Sequence, residues 1–176
     1  MHIRDAMAQD APMISRIIAR SWRGAYQGLI DPGYLSRLPE EYWLPSMRTW
    51  LESGRMYGYI AETEGEPVGC VICGRGRDED HADWGEIASL YVLPEYMNRG
   101  VGSALLHAAL EVLLADGYTR VYLWCIAGNH SAEAFYEHHG FQQTDDRVEY
   151  RIGSGNVTDI RYVFEAHHGR FHRALL

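Results

Sequence analysis

Residues 97 to 103 read Met-Asn-Arg-Gly-Val-Gly-Ser, and a run of apolar residues at helical spacing follows directly. A helix leaves its first four N–H groups without partners and carries roughly half a positive charge at that end. Glycine there lets several amides converge on a bulky anion, and an arginine adds a charge-assisted bond. Gly100 and Gly102, with Met97, Asn98, Arg99, Val101 and Ser103, therefore form a candidate phosphate cradle. The anion affinity has to be local, because 24 acidic residues outnumber 16 arginines, no lysine occurs, and the net charge is -8.

Elimination narrows the phosphate ligand. A nucleoside triphosphate loop needs Gly-Lys-Ser/Thr, which a lysine-free chain does not have. A dinucleotide fingerprint wants a third glycine where Leu105 stands and an acidic residue closing the next strand, where Leu123-Trp124-Cys125-Ile126 offers none. The acidic balance and the lack of a basic stripe argue against a nucleic-acid partner.

The cysteines supply no competing chemistry. Cys70 and Cys73 fall within a β-prone run where positions three apart point to opposite faces, and no second CxxC or CxxH completes a set of four ligands. With Cys125 they make an odd set that suits buried free thiols in a reducing compartment. The three histidines of the tail His-His-Gly-Arg-Phe-His lack a carboxylate or cysteine to complete a site, so no metal is expected. The polar start, without a signal-peptide pattern, points to the cytoplasm. The longest apolar stretch, residues 104–115, is interrupted by His107 and Glu111 and falls short of the about 20 residues of a bilayer span, so no membrane partner is expected.

The elements that position the cradle follow from periodicity. Residues 2–7 read as a first strand, and Met13, Ile14, Ile17 and Ile18 mark a helix for which Asp10 is the expected cap. Residues 24–34 carry three glycines and a proline and read as a loop; 34–51 resumes a helical pattern interrupted at Pro39 and Pro45. Runs 57–61 and 67–73 form a hairpin across Glu-Thr-Glu-Gly-Glu, and 74–83 is an exposed charged loop. Strand 84–92, helix 100–115 and strand 120–126 make a parallel unit with a right-handed crossover, the helix packing on the sheet through Val101, Ala104, Leu105, Ala108 and Val112. Ligands in such units sit at the carboxyl end of the strand. A short helix capped by Asn129 or Ser131 and stopped by Gly140 follows, then strands 141–150 and 157–166. Length and composition predict one globular domain over 1–176.

Residues 90–106 together with 117–141 resemble the GNAT superfamily of N-acetyltransferases. The Gln/Arg-x-x-Gly-x-Gly/Ala loop is matched except at Met97, and the pattern Asn-x-x-Ala-x-x-Phe-Tyr-x-x-x-Gly-Phe is met by Asn129, Ala132, Phe135, Tyr136, Gly140 and Phe141. The resemblance implies a mixed, mainly antiparallel seven-stranded α/β sheet with about four helices and two splayed central parallel strands. It implies acetyl-coenzyme A as donor, an amine as acceptor, and direct transfer of the acetyl group in a ternary complex.

Glu86 then resembles the family's general base, Tyr136 its general acid, and Val92 the amide donor to the developing oxyanion. The stretch Leu90, Tyr91 and Val92 would pair with the pantetheine arm, and Asn129 would bond the cofactor or cap its helix. A free amine is needed because an alkyl ammonium has a pKa of about 10.4. Trp22 and Tyr26 flank the loop that the resemblance places over the acceptor. A small-molecule primary amine is the expected acceptor; a peptide N-terminus and a non-catalytic acyl-coenzyme A sensor are the alternatives. Exposed terminal strands suggest a homodimer.

Overall fold

The computed structural model of the protein describes residues 1–166, so the histidine-bearing tail from His167 lies outside the described residues. The elements run β1 (His2–Asp5), α1 (Ala11–Ala25), α2 (Pro32–Arg37), α3 (Leu44–Ser53), β2 (Met56–Thr63), β3 (Glu66–Arg75), β4 (Gly85–Val92), α4 (Val101–Ala115), β5 (Arg120–Ile126), α5 (His130–His138), β6 (Gln142–Ile152) and β7 (Gly155–Glu165). The seven strands form one sheet in the order β1-β2-β3-β4-β5-β7-β6, with β4 and β5 parallel and the other neighbours antiparallel. That is the expected mixed sheet, with five α-helices among the described residues where about four were expected.

The central pair is where the sheet opens. β4 and β5 register only at Gly85↔Val121 and Glu86↔Tyr122 and then diverge. On its other edge β4 shifts register against β3 between the Ile72↔Ser89 and Cys73↔Ile87 pairs, leaving Ala88 as the extra residue of a bulge. A bulge bends its strand and sharpens the twist, which turns β4 away from β5.

Helices cover both faces. Leu105, Leu106, Ala109, Leu110 and Leu113 of α4 pack with Val71, Cys73, Ile87, Val121 and Leu123 on one side. Ile14, Ile17 and Ile18 of α1 and Met47 of α3 pack with Ile60, Cys70 and Ile72 on the other. Cys70 and Cys73 thus point to opposite faces, as the strand period requires. Burial lifts all three thiols to about 12, so none ionises near neutrality. Gly69 is required for close approach of α4, since a Cβ there would lie 3.0 Å from Leu105 Cδ1.

Several local expectations are corrected. The face of α4 turned to the sheet carries the bulky leucines, and Ala104, Ala108 and Val112 lie beside it, partly exposed. Asp10 occupies the cap position of α1 without a capping bond; its carboxylate accepts from the Met7 amide (2.8 Å) and both Arg4 nitrogens (2.9 and 3.0 Å). Pro45 lies in the first turn of α3, where its missing N–H costs nothing, so it starts a helix that was expected to be interrupted there. The loop 74–83 is charged but folded back on the sheet: the Arg77 and Asp78 amides donate to the Tyr122 hydroxyl (3.0 and 3.1 Å).

Candidate active site

The cradle at α4 is built as its residue types dictate. Asn98 and Gly100 adopt left-handed backbone (φ 58° and 79°), which turns the chain sharply into the helix. Glycine tolerates that conformation, and the space a Cβ would enter at Gly100 is open to 4 Å. The first backbone bond at the turn runs from Ala104 N to Gly100 O (3.0 Å). Among the described residues the amides from Asn98 to Ser103 donate to no backbone carbonyl, so they converge unpaired.

The side chains around the cradle differ in what they offer. The Met97 amide donates to Pro94 O (3.3 Å) and its side chain is 41% exposed, so Met97 adds no free amide to the set. This takes the Met97 amide out of the candidate phosphate cradle. The Arg99 guanidinium lies over the Tyr96 ring at 5.4 Å. Ser103 Oγ is 3.0 Å from His139 Nε2, and His139 Nδ1 is 2.8 Å from the Phe135 carbonyl. The carbonyl fixes the hydrogen on Nδ1, leaving Nε2 to accept from Ser103. His139 also closes α5, the capping role its place at a helix end favours.

The edge of β4 facing the opening is half used. Leu93 N donates to Val68 O (2.8 Å) on the β3 side. By the alternation of a strand, the Leu90 and Val92 amides point away from β3 into the gap beside β5. The Val92 carbonyl accepts from Ser21 Oγ of α1 (3.1 Å). Unpaired amides on a strand edge are templates for an added extended chain.

Tyr136 and Asn129 come from the helix that follows β5. Asn129 Oδ1 accepts from Ala132 N (3.4 Å), so it caps α5. Tyr136 packs against Phe135, Phe141 and Tyr162, and burial pushes its phenol far above the ordinary tyrosine range. It therefore keeps its proton. Tyr26, at the end of α1, has its hydroxyl 3.4 Å from that of Tyr91, and burial raises both. Trp22 stacks edge-on to Tyr26 at 5.0 Å. Its indole N–H lies buried without a partner of normal geometry, though near enough to favour the Tyr91 phenolate. Tyr91 thus turns its ring toward Trp22 and Tyr26, away from the cradle side of the sheet.

Glu86 sits at the base of the opening, 2% exposed. Its Oε2 accepts from the Arg77 amide (3.1 Å) and Nε (2.9 Å), and its Oε1 from Arg77 Nη2 (2.6 Å). The carboxylate raises the Arg77 pKa further, and the guanidinium lies over Trp50 at 4.8 Å. Asp78 beside it accepts from Arg161 Nη2 (3.0 Å) and Trp124 Nε1 (3.2 Å). Composition hides these partners of Glu86 and Tyr122, because a charged, glycine-flanked segment reads as a solvated loop. Two other residues also escaped notice: Asp159 of β7 and Tyr150 of β6, whose hydroxyl donates to Asp159 Oδ2 (3.0 Å). Among the described residues no group of three or more metal-ligating side chains occurs, and no helix is long and apolar enough to cross a membrane.

A sheet forked between parallel strands, with a free amide cluster where the strand enters a helix, is the arrangement that the N-acetyltransferase resemblance implies. The acetyltransferase (GNAT) family profile matches residues 21–141, from within α1 to the end of the α5 motif. The chain belongs to that family. The probable N-acetyltransferase Rv2775 of Mycobacterium tuberculosis is 30% identical over 165 residues, which is 92% of each chain. Among solved structures, the PaiA N-acetyltransferase of Thermoplasma acidophilum in complex with coenzyme A shares the fold. Its TM-score is 0.73 at 20% identity, over 93% of this chain and 98% of that one. A ribosomal-protein-alanine N-acetyltransferase of Brucella melitensis superposes with a TM-score of 0.71 at 19% identity, over 94% and 99%.

Proposed function

We propose that the protein transfers the acetyl group of acetyl-coenzyme A to a primary amine of a small molecule by direct attack within a ternary complex. The observation that carries this reading is the set of unpaired amides from Asn98 to Ser103, placed beside the free Leu90 and Val92 amides of the opened strand. The diphosphate takes the helix end, the pantetheine arm pairs with the β4 edge, and the Val92 amide donates to the carbonyl oxygen as it gains charge. Tyr136, with its proton held by burial, gives it to the departing thiolate. Glu86, with both oxygens engaged by Arg77, is assigned to holding the base of the fork, and proton abstraction from the amine to another group.

The test is release of free thiol from acetyl-coenzyme A across a panel of amines and peptides. A small-molecule enzyme turns over amines; an acceptor like that named for the Brucella melitensis neighbour would restrict turnover to peptide N-termini. Coenzyme binding with no turnover on any acceptor would identify a sensor. We assign the protein to a reducing compartment such as the cytoplasm on its three free buried cysteines. We also propose a homodimer through the exposed edge strand β6, measurable as a doubled mass in sedimentation.

A further inference from the structure

We propose that Asp159 Oδ1 is the docking point and proton acceptor for the amine, within a ring of phenols from Tyr26, Tyr91 and Tyr150; this rests on the acetyl-transfer reading above. Among the described residues Oδ1 is buried and has no hydrogen-bond partner, while Oδ2 takes the Tyr150 hydroxyl. A carboxylate oxygen removed from water with no donor is costly and calls for a partner that the apoprotein does not supply.

The missing partner is a cation. Four other shielded carboxylates carry arginine, Asp10 and Glu62 sharing Arg4, Glu86 taking Arg77 and Asp78 taking Arg161, and Glu133 is held by His130 and the Gly128 amide. Asp159 has no such pair among the described residues. The titratable groups on its side of the sheet are Tyr150 from β6 and Tyr91 from β4, while Cys125 of β5 pairs with Ile160 and points to the opposite face. Arg161, two residues along β7, turns instead to Asp78 and Asp146. Tyr150 and Tyr91 are neutral groups whose burial keeps them protonated, and burial also lifts Asp159 above the ordinary carboxylate range. A raised carboxylate is better matched to taking a proton near neutrality.

Tyr91 links Asp159 to the reacting centre, being close enough to both Asp159 and the Tyr136 phenol for their charges to interact. A primary ammonium supplies the donors that Oδ1 lacks, and aromatic faces stabilise its charge. One proton passes from nitrogen to Oδ1, and the freed lone pair forms the C–N bond at the thioester carbonyl. As the intermediate collapses, the C–S electron pair leaves with sulfur, which takes the Tyr136 proton, and nitrogen sheds a second proton. Of the two protons, one ends on sulfur by way of Tyr136 and the other in solvent by way of Asp159. The residues packed on this face of the sheet, Ile126, Ile30 and Val157, are apolar and offer no second charge, so the acceptor is an alkyl or arylalkyl monoamine.

The test needs no turnover. Protein saturated with coenzyme A is titrated by calorimetry at pH 7 with propylamine and phenethylamine, and with propanol and phenethyl alcohol as uncharged counterparts. The wild type is expected to bind at least one amine and neither alcohol. Asp159→Asn should weaken the amine about tenfold or more, and Tyr150→Phe about threefold, with coenzyme A affinity unchanged. The Asp159→Asn apoprotein should melt no lower than the wild type, since an unpaired buried charge has been removed. The proposal is overturned if neither amine binds the wild type, if Asp159→Asn binds amine equally well, or if that variant melts lower and loses coenzyme A. Amines that bind through Asp159 but are not acetylated would instead refute the transfer reading and leave the docking site standing.

Discussion

Gly102→Ala separates what the cradle does for folding from what it does for binding. Gly102 has ordinary helical backbone in the first turn of α4, and a Cβ would meet Phe135 at 3.4 and 3.5 Å and Val92 Cγ2 at 3.8 Å, all ordinary contacts. Alanine should therefore stabilise the fold by up to about 1 kcal/mol. For a chain of this length that raises Tm by about 2–4 °C. The same methyl group crowds the amides meant for the diphosphate. Loss of one charge-assisted bond costs about 1.5–3 kcal/mol, or roughly 10- to 150-fold in Kd. Melting curves with and without coenzyme A, together with calorimetry, read both effects. The reasoning fails if Kd changes less than twofold while Tm rises, because the amides would then not be the grip; Gly100→Ala, strained at φ 79°, should lose both stability and binding.

Tyr136→Phe should lower kcat by about 10²-fold or more while leaving coenzyme affinity intact, and wild-type kcat should show no alkaline fall from Tyr136 below about pH 10, since burial raises that phenol. Arg77→Met leaves the Glu86 carboxylate buried and unpaired and should cost about 3 kcal/mol in urea unfolding, the lower end of such losses because the arginine is itself half exposed. The Arg4 bond depresses the Asp10 pKa, so it contributes stability above the unfolded value and loses it as pH falls through the folded one; the deficit of Arg4→Met at pH 7 should shrink as pH falls below the ordinary aspartate value of about 3.9 and vanish once folded Asp10 is protonated. Thiol reagents should label none of the three cysteines in the native protein and all of them in denaturant.

Local signals carried much of the fold. The β-branched and aromatic run 120–126 is β5 with the same limits, and Gly117 is left-handed after α4 as a terminating glycine should be. Glu64 and Gly65, both at positive φ, make the hairpin turn between β2 and β3. Asn129 caps α5 as expected. Each of these is set by neighbours a few residues away. What stayed hidden depends on partners far along the chain. Asp78 meets Arg161 across 83 residues, and Glu86 is held by a loop that composition assigns to solvent. Asp159 sits in an otherwise ordinary strand, where a polar residue normally marks the solvent face; only three-dimensional packing buries its Oδ1 and sets its Oδ2 against Tyr150. The stripe of α4 was misplaced because alanines and leucines both read as apolar, whereas packing volume selects the leucines.

With only two residue pairs joining β4 to β5, the sheet resembles a wall left one course short, and the missing course is a molecule the cell must provide. Whatever occupies the gap ties the β1–β4 half to the β5–β7 half through backbone bonds that neither half makes alone. A ligand at 100 times its Kd would add about 2.7 kcal/mol to the resistance of the whole chain against unfolding. Turnover of the protein by proteases would then slow when coenzyme is plentiful and quicken when it is scarce.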